Sequence, residues 1–228
     1  MAPQKFVYCG ALLYYMRDMK KLFNLNEREA SLFRRLNSPR KIQDYINAIP
    51  NNFETDGETY SSPRVTLQRN SAHCFEGALL AAAIFWFHNE KPIILDLRTI
   101  APDIDHVVTL FKRHERWGAI SKTNHAVLRY REPIYKTVRE LVMSYFNEYY
   151  LDDGVKTLRS YSRPFDLSGN TDWITTEKNL ENLVDRLNSS RHYEIMTKPM
   201  IASLRLADPV ELIADDVLEW EDPSSSRP

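Results

Sequence analysis

Apolar residues recur at helical spacing near the start of the chain. Leu32, Phe33 and Leu36 form a stripe behind Asn26, and Glu29 three residues after Asn26 completes a capping-box pattern. A helix ending near Asn37 is expected there. Ser38 and Pro39 then set a cap and a first-turn proline ahead of Ile42, Tyr45, Ile46 and Ile49, which predicts a second amphipathic helix that stops before Pro50. Residues 51–70 are polar and turn-rich, with Asp56-Gly57 as the clearest turn, so they read as a long loop or a short ribbon.

The pattern changes at residue 72, where the chain runs AHCFEGALLAAAIFWF. Alanines 78, 81, 82 and 83 are too small to fill a core, so this helix is expected to let another backbone approach, as a central helix packed on a sheet would. Residues 92–97 (PIILDL), 105–111 (DHVVTLF), 117–121 (WGAIS) and the alternating 126–131 (AVLRYR) predict strands of an antiparallel meander. Pro133 then opens an expected long helix through Tyr150, with Ile134, Val138, Leu141, Val142, Tyr145 and Tyr149 on one stripe. Residues 156–170 read as an irregular connection, 177–187 as a helix bearing Leu180, Leu183, Val184 and Leu187, and 195–206 as strand or loop. From Glu219 the chain turns acidic and then Pro- and Ser-rich, and 219–228 is expected to be a disordered tail. The reading is an α+β protein: a single domain over 1–218, a central helix packed on an antiparallel sheet with flanking helices on both sides.

Composition narrows the function. The 228 residues carry 30 Lys and Arg against 31 Asp and Glu, a formal charge of -1, which lacks the basic balance of a general nucleic-acid binder. The apolar stretches fall short of the roughly 20 residues that span a membrane. Residues 6–16 are apolar, but Arg17, Asp18, Lys20 and Lys21 follow where a signal peptide would have its cleavage site. Cys9 and Cys74 lie far apart in a chain able to build its own core, so no disulfide framework is expected, and a reducing, cytoplasmic setting is.

Cys74 opens the alanine-rich helix, where unsatisfied N–H groups and the positive end of the helix dipole favour a thiolate. His106 enters a strand next to that helix and can take and return the thiol proton. His73, His88, His114 and His125 rank below it as surface or supporting residues. Cys74, His73 and His106 lack a paired-ligand spacing for zinc, neither GxGxxG nor GxxxxGK[ST] occurs, and no cofactor is expected. Lys122, His125, Arg129 and Arg131 read as a solvated strand face rather than a basic cleft rim, and Tyr145, Phe146, Tyr149 and Tyr150 as core.

The helix AHCFEGALLAAAIFW, the strands KPIILDL and DHVVTLF, and the aromatic strand WGAIS resemble the catalytic core of the transglutaminase-like superfamily, whose members share a papain-like arrangement. The resemblance implies Cys74 as nucleophile and His106 as general base. The family's orienting aspartate, four residues past an aromatic strand residue, falls on Ser121 after Trp117, a departure that leaves the imidazolium without a carboxylate. Asn124 can take the orienting role as the amide does in papain-like enzymes, and a hairpin turn centred on Arg113-His114 would set Ser121 opposite His106. The resemblance covers about 59–131; Gln68, six residues before Cys74, stands at the offset of the papain-like oxyanion glutamine, and Trp117 is implied with it on the substrate-binding side. The implied activity is cysteine-dependent acyl transfer on a peptide or amide-type substrate, as an amidase, peptidase or transferase. The alternative is a non-catalytic binding or scaffold protein that keeps the fold.

Overall fold

The computed structural model describes residues 18–55 and 57–222. Cys9, the apolar stretch 6–16, Asp56 of the expected turn and residues 223–228 lie outside them. Helix α1 (Glu27–Arg35) starts from the capping box: Asn26 Oδ1 accepts from Glu29 N at 2.9 Å, and the Glu29 carboxylate accepts from Asn26 N at 2.8 Å. Helix α2 (Pro39–Asn47) is capped by the Ser38 hydroxyl. The polar stretch expected as loop or ribbon contains a further helix, α3 (Pro63–Arg69), because Ser62 followed by Pro63 repeats the cap and first-turn proline of α2.

Helix α4 (Cys74–Phe87) is the centre of the molecule; residues 75–87 are buried except for half-buried Trp86. A helix apolar on every side must be surrounded. On one side α2, α3 and the segment around Phe23 cover it, and on the other lies the sheet. The small residues do allow close approach: the Thr109 hydroxyl donates to the Ala78 carbonyl at 2.6 Å, joining sheet to helix backbone.

The sheet is antiparallel throughout. Its strands are β1 (Ile93–Arg98), β2 (His106–Arg113), β3 (Arg116–Ile120), β4 (Arg131–Tyr135), β5 (Ser160–Ser162), β6 (Phe165–Asp166) and β7 (His192–Glu194), in the order β4-β3-β2-β1-β5-β7, with β6 also paired to β1. Val107 and Phe111 of β2 pack with α4, while Val108 and Leu110 join a second core with Leu141, Val142, Tyr145 and Tyr149. The β2–β3 turn is His114-Glu115, with φ of +50° and +58°, and pairs Arg113 with Arg116 and Thr109 with Ile120. The register expected from the sequence is therefore displaced by two residues, which leaves every side chain on its expected face.

The long helix expected from Pro133 is absent. Pro133 sits in the edge strand β4, where its missing N–H costs no ladder bond. The Thr137 hydroxyl then accepts from Glu140 N and starts a short helix, α5 (Val138–Met143), followed by a 3₁₀ turn at Phe146–Glu148. The strand expected over 126–131 is likewise interrupted, since Leu128 adopts φ +59° and only Arg131 belongs to β4. Helices α6 (Asp172–Thr175), α7 (Glu181–Asn188), α8 (Lys198–Ala202) and α9 (Pro209–Asp215) complete the chain. Among the described residues no helix is long and apolar enough to cross a membrane. Glu219 and Trp220, expected in a disordered tail, are instead hydrogen-bonded to Asn124.

Candidate active site

Cys74 is the first residue of α4, and extended His73 precedes it as the N-cap. The carboxylate of Glu76, buried one turn along, gathers four donors: His73 N at 3.2 Å, Ser61 N at 3.0 Å, the Thr59 hydroxyl at 3.1 Å and Asn52 Nδ2 at 3.0 Å. It thereby ties the 51–61 segment to the start of α4 and fixes one wall of a cleft of about 370 Å³ that Cys74 lines. The opposite wall is the segment before β2. There Asp105 accepts from Thr99 N at 2.8 Å, and Asp103 takes the Thr157 hydroxyl.

His106, the first residue of β2, pairs across the ladder with Leu97 and is buried. Its Nε2 lies 2.7 Å from the Ser121 hydroxyl, and that hydroxyl donates to the Leu128 carbonyl. A hydroxyl whose proton is committed to a carbonyl accepts at its oxygen, so His106 carries its hydrogen on Nε2 and keeps Nδ1 for the thiol. Ser121 is thus the residue that meets His106 at Nε2. The displaced register puts it diagonally across rather than directly opposite, a separation an imidazole spans.

The second imidazole is His73. Its Nε2 lies 2.7 Å from the Thr59 carbonyl and 3.7 Å from both Glu54 and Glu76 carboxylates. Cys74 has an aligned contact with the Asp105 carbonyl at 4.0 Å, and both imidazoles interact with the sulfur as hydrogen-bond partners and as charges. Burial alone would raise the thiol. The hydrogen bond from His106, then that from His73, and the charges of both rings overcome it and hold the thiol down at about 5. For His73 burial again opposes the charged form, but the hydrogen bond and charge of Cys74, then Glu76 and the Thr59 carbonyl, raise it to about 9.

The other expected site residues are not brought together. Asn124 lines the cleft, but its amide is engaged with the Trp220 backbone, accepting from N at 2.8 Å and donating to O at 2.9 Å, so it does not orient His106. Gln68 is exposed on α3 and lines a separate cavity with Asn26, Arg28 and Tyr45, too far round the helix to serve as an oxyanion donor. Trp117 packs on the second core beneath the Lys112 ammonium, farther along the face of β3 that carries Ser121, and does not line the cleft. Lys122, expected on a solvated face, is buried in the cleft wall: its stem lies against Gly77, its Nζ donates to the Ile49 carbonyl at 2.6 Å, and burial lowers it to about 8. Sequence reasoning set aside His73, whose only signal was adjacency to Cys74, and read Tyr149 as core alone. Among the described residues no group of three or more His, Cys, Asp and Glu side chains is arranged to hold a metal ion. No protein-family model matches the chain, and no curated protein does.

Proposed function

We propose that this protein is a cysteine-dependent acyl-transfer enzyme with a transglutaminase-like, papain-related core, acting on a peptide or amide-type substrate. The observation that carries this reading is the thiol at the start of a buried helix, set between two imidazoles that favour its ionised form. In this reading His106 Nδ1 takes the Cys74 proton, and the thiolate attacks the carbonyl carbon to form a C–S bond as the carbonyl electrons move to oxygen. Collapse of the adduct breaks the C–N bond, and His106 gives its proton to the leaving amine. Water or an acceptor amine, deprotonated by His106, then breaks the thioester and returns the thiolate. His73, held among Glu54, Glu76 and the Thr59 carbonyl, supplies a positive charge beside the sulfur while the sulfur is a thiolate.

The neutral hydroxyl behind His106, where a carboxylate would better support an imidazolium, is the feature that favours a binding or scaffold role instead. Incubation with para-nitrophenyl acetate separates the two. The enzyme reading expects nitrophenolate release and an acetyl adduct on Cys74 by mass spectrometry, lost in Cys74→Ala and slowed about 100-fold or more in His106→Ala. A wild-type protein that forms no adduct, with the thiol accessible to iodoacetamide, supports the scaffold reading.

A further inference from the structure

Buried polar atoms without a partner are rare, because each forfeits its bonds to water. One of them is the hydroxyl of Tyr149, a side chain 2% exposed that lines the same cleft as Cys74 and His106. Among the described residues the other unpartnered side-chain atoms of this kind, on Thr66, Ser190 and Trp220, belong to residues that do not line it. Tyr149 follows the 3₁₀ turn and is held by its backbone, whose carbonyl accepts from Thr157 N at 3.1 Å, and by packing in the second core. A second donor belongs to another residue lining the same cleft. The first N–H groups of a helix have no intrahelical partner, and the Cys74 amide is one of them.

We propose that the Tyr149 hydroxyl and the Cys74 main-chain N–H form the oxyanion site of the cleft, receiving the carbonyl oxygen of the acyl substrate. The assignment rests on the acyl-transfer reading above and fills the role that exposed Gln68 does not. A donor fixed in place before charge develops acts without reorganisation at the moment of reaction. The phenol also keeps its proton: burial first, then the charges of Cys74 and Asp103, push it well above its ordinary range. It can therefore donate to a developing alkoxide but cannot become a second anion beside the thiolate.

The test compares two reactions of the same sulfur in the full chain. Acylation by para-nitrophenyl acetate passes through a tetrahedral oxyanion; alkylation by iodoacetamide, a displacement at a methylene carbon, does not. Tyr149→Phe should slow acylation about 100- to 1,000-fold while alkylation and its pH midpoint stay within about twofold of wild type. Because the lost hydroxyl has no partner, the melting temperature should be unchanged or raised, and that measurement separates loss of the donor from loss of the fold. Equal slowing of both reactions would place the hydroxyl on the thiolate, and unchanged acylation would leave it no part; either result overturns the assignment while the acyl-transfer reading stands. Absence of a Cys74 acyl adduct in the wild type would instead remove the reading beneath it.

Discussion

The ionisation of Cys74 is a property of its neighbours, and its sign can be followed through pH. As pH rises through about 5 the thiol loses its proton, and His73 keeps its own to about 9, so between those values the sulfur is a thiolate beside an imidazolium. Iodoacetamide alkylation of the native protein should accordingly rise with a midpoint near 5, well below the roughly 8.5 of a free thiol. His73→Asn removes one ring and installs a preferred N-cap residue, which protects the helix start. It should raise the midpoint by about one to two pH units and leave the share due to His106. A profile superimposed on wild type would mean that His73 does not act on the sulfur. The proximity of His106 and Ser121, and of Cys74 and His106 in one cleft, was legible because element order and strand face survive a two-residue change of register. His73 was not, since its value depends on Thr59, Glu54 and Glu76, which the fold alone brings to its ring.

Among the elements, α4 was the most legible because its unbroken apolar run 77–87, after Glu76, leaves few places to sit. The segment after Pro133 was misread because Leu141, Val142, Tyr145 and Tyr149 keep helical spacing although the first two lie in a short helix and the last two flank a 3₁₀ turn, all in one core. There the ladder of β4 and the Thr137 cap outweigh periodicity, and exposed Ile134 shows that part of the stripe was coincidence. What places α4 against the cleft wall is Gly77. A Cβ there would lie 2.5 Å from Lys122 Cβ and 3.0 Å from its Cγ, and that stem is anchored through Nζ on the Ile49 carbonyl. Helix propensity favours Ala over Gly by about 1 kcal/mol, whereas forcing a methyl into a packed contact costs about 1–3 kcal/mol. The packing loss should win. Gly77→Ala is expected to lower the urea midpoint without changing the slope, and also to slow Cys74 alkylation as the first turn shifts. A variant as stable as wild type would show that Lys122 yields easily.

For the molecule as a whole, the far end of the described chain closes over the loop that supports His106. Asn124 holds the Trp220 backbone in both directions, Glu219 N donates to the Asn124 carbonyl at 2.8 Å, Ala126 N donates to the Val217 carbonyl at 2.9 Å, and Arg129 pairs with Glu219 at 3.0 Å. Within that loop lies Leu128, whose carbonyl takes the Ser121 hydroxyl and so fixes the acceptor offered to His106. Nothing local in the sequence marks this closure, because Asn124 and Trp220 are 96 positions apart and the segment around Trp220 is acidic and short. Asn124 therefore acts on the loop's position and not on the imidazole. Asn124→Ala removes two hydrogen bonds, each worth about 1 kcal/mol, and should destabilise the protein by about 2 kcal/mol. Amide exchange should rise across residues 122–130 as well as 217–220, and ester acylation should fall by less than in His106→Ala, because Ser121 still reaches Nε2 in the closed fraction of molecules. Faster exchange confined to 217–220, with acylation untouched, would show that the loop holds its shape without the strap.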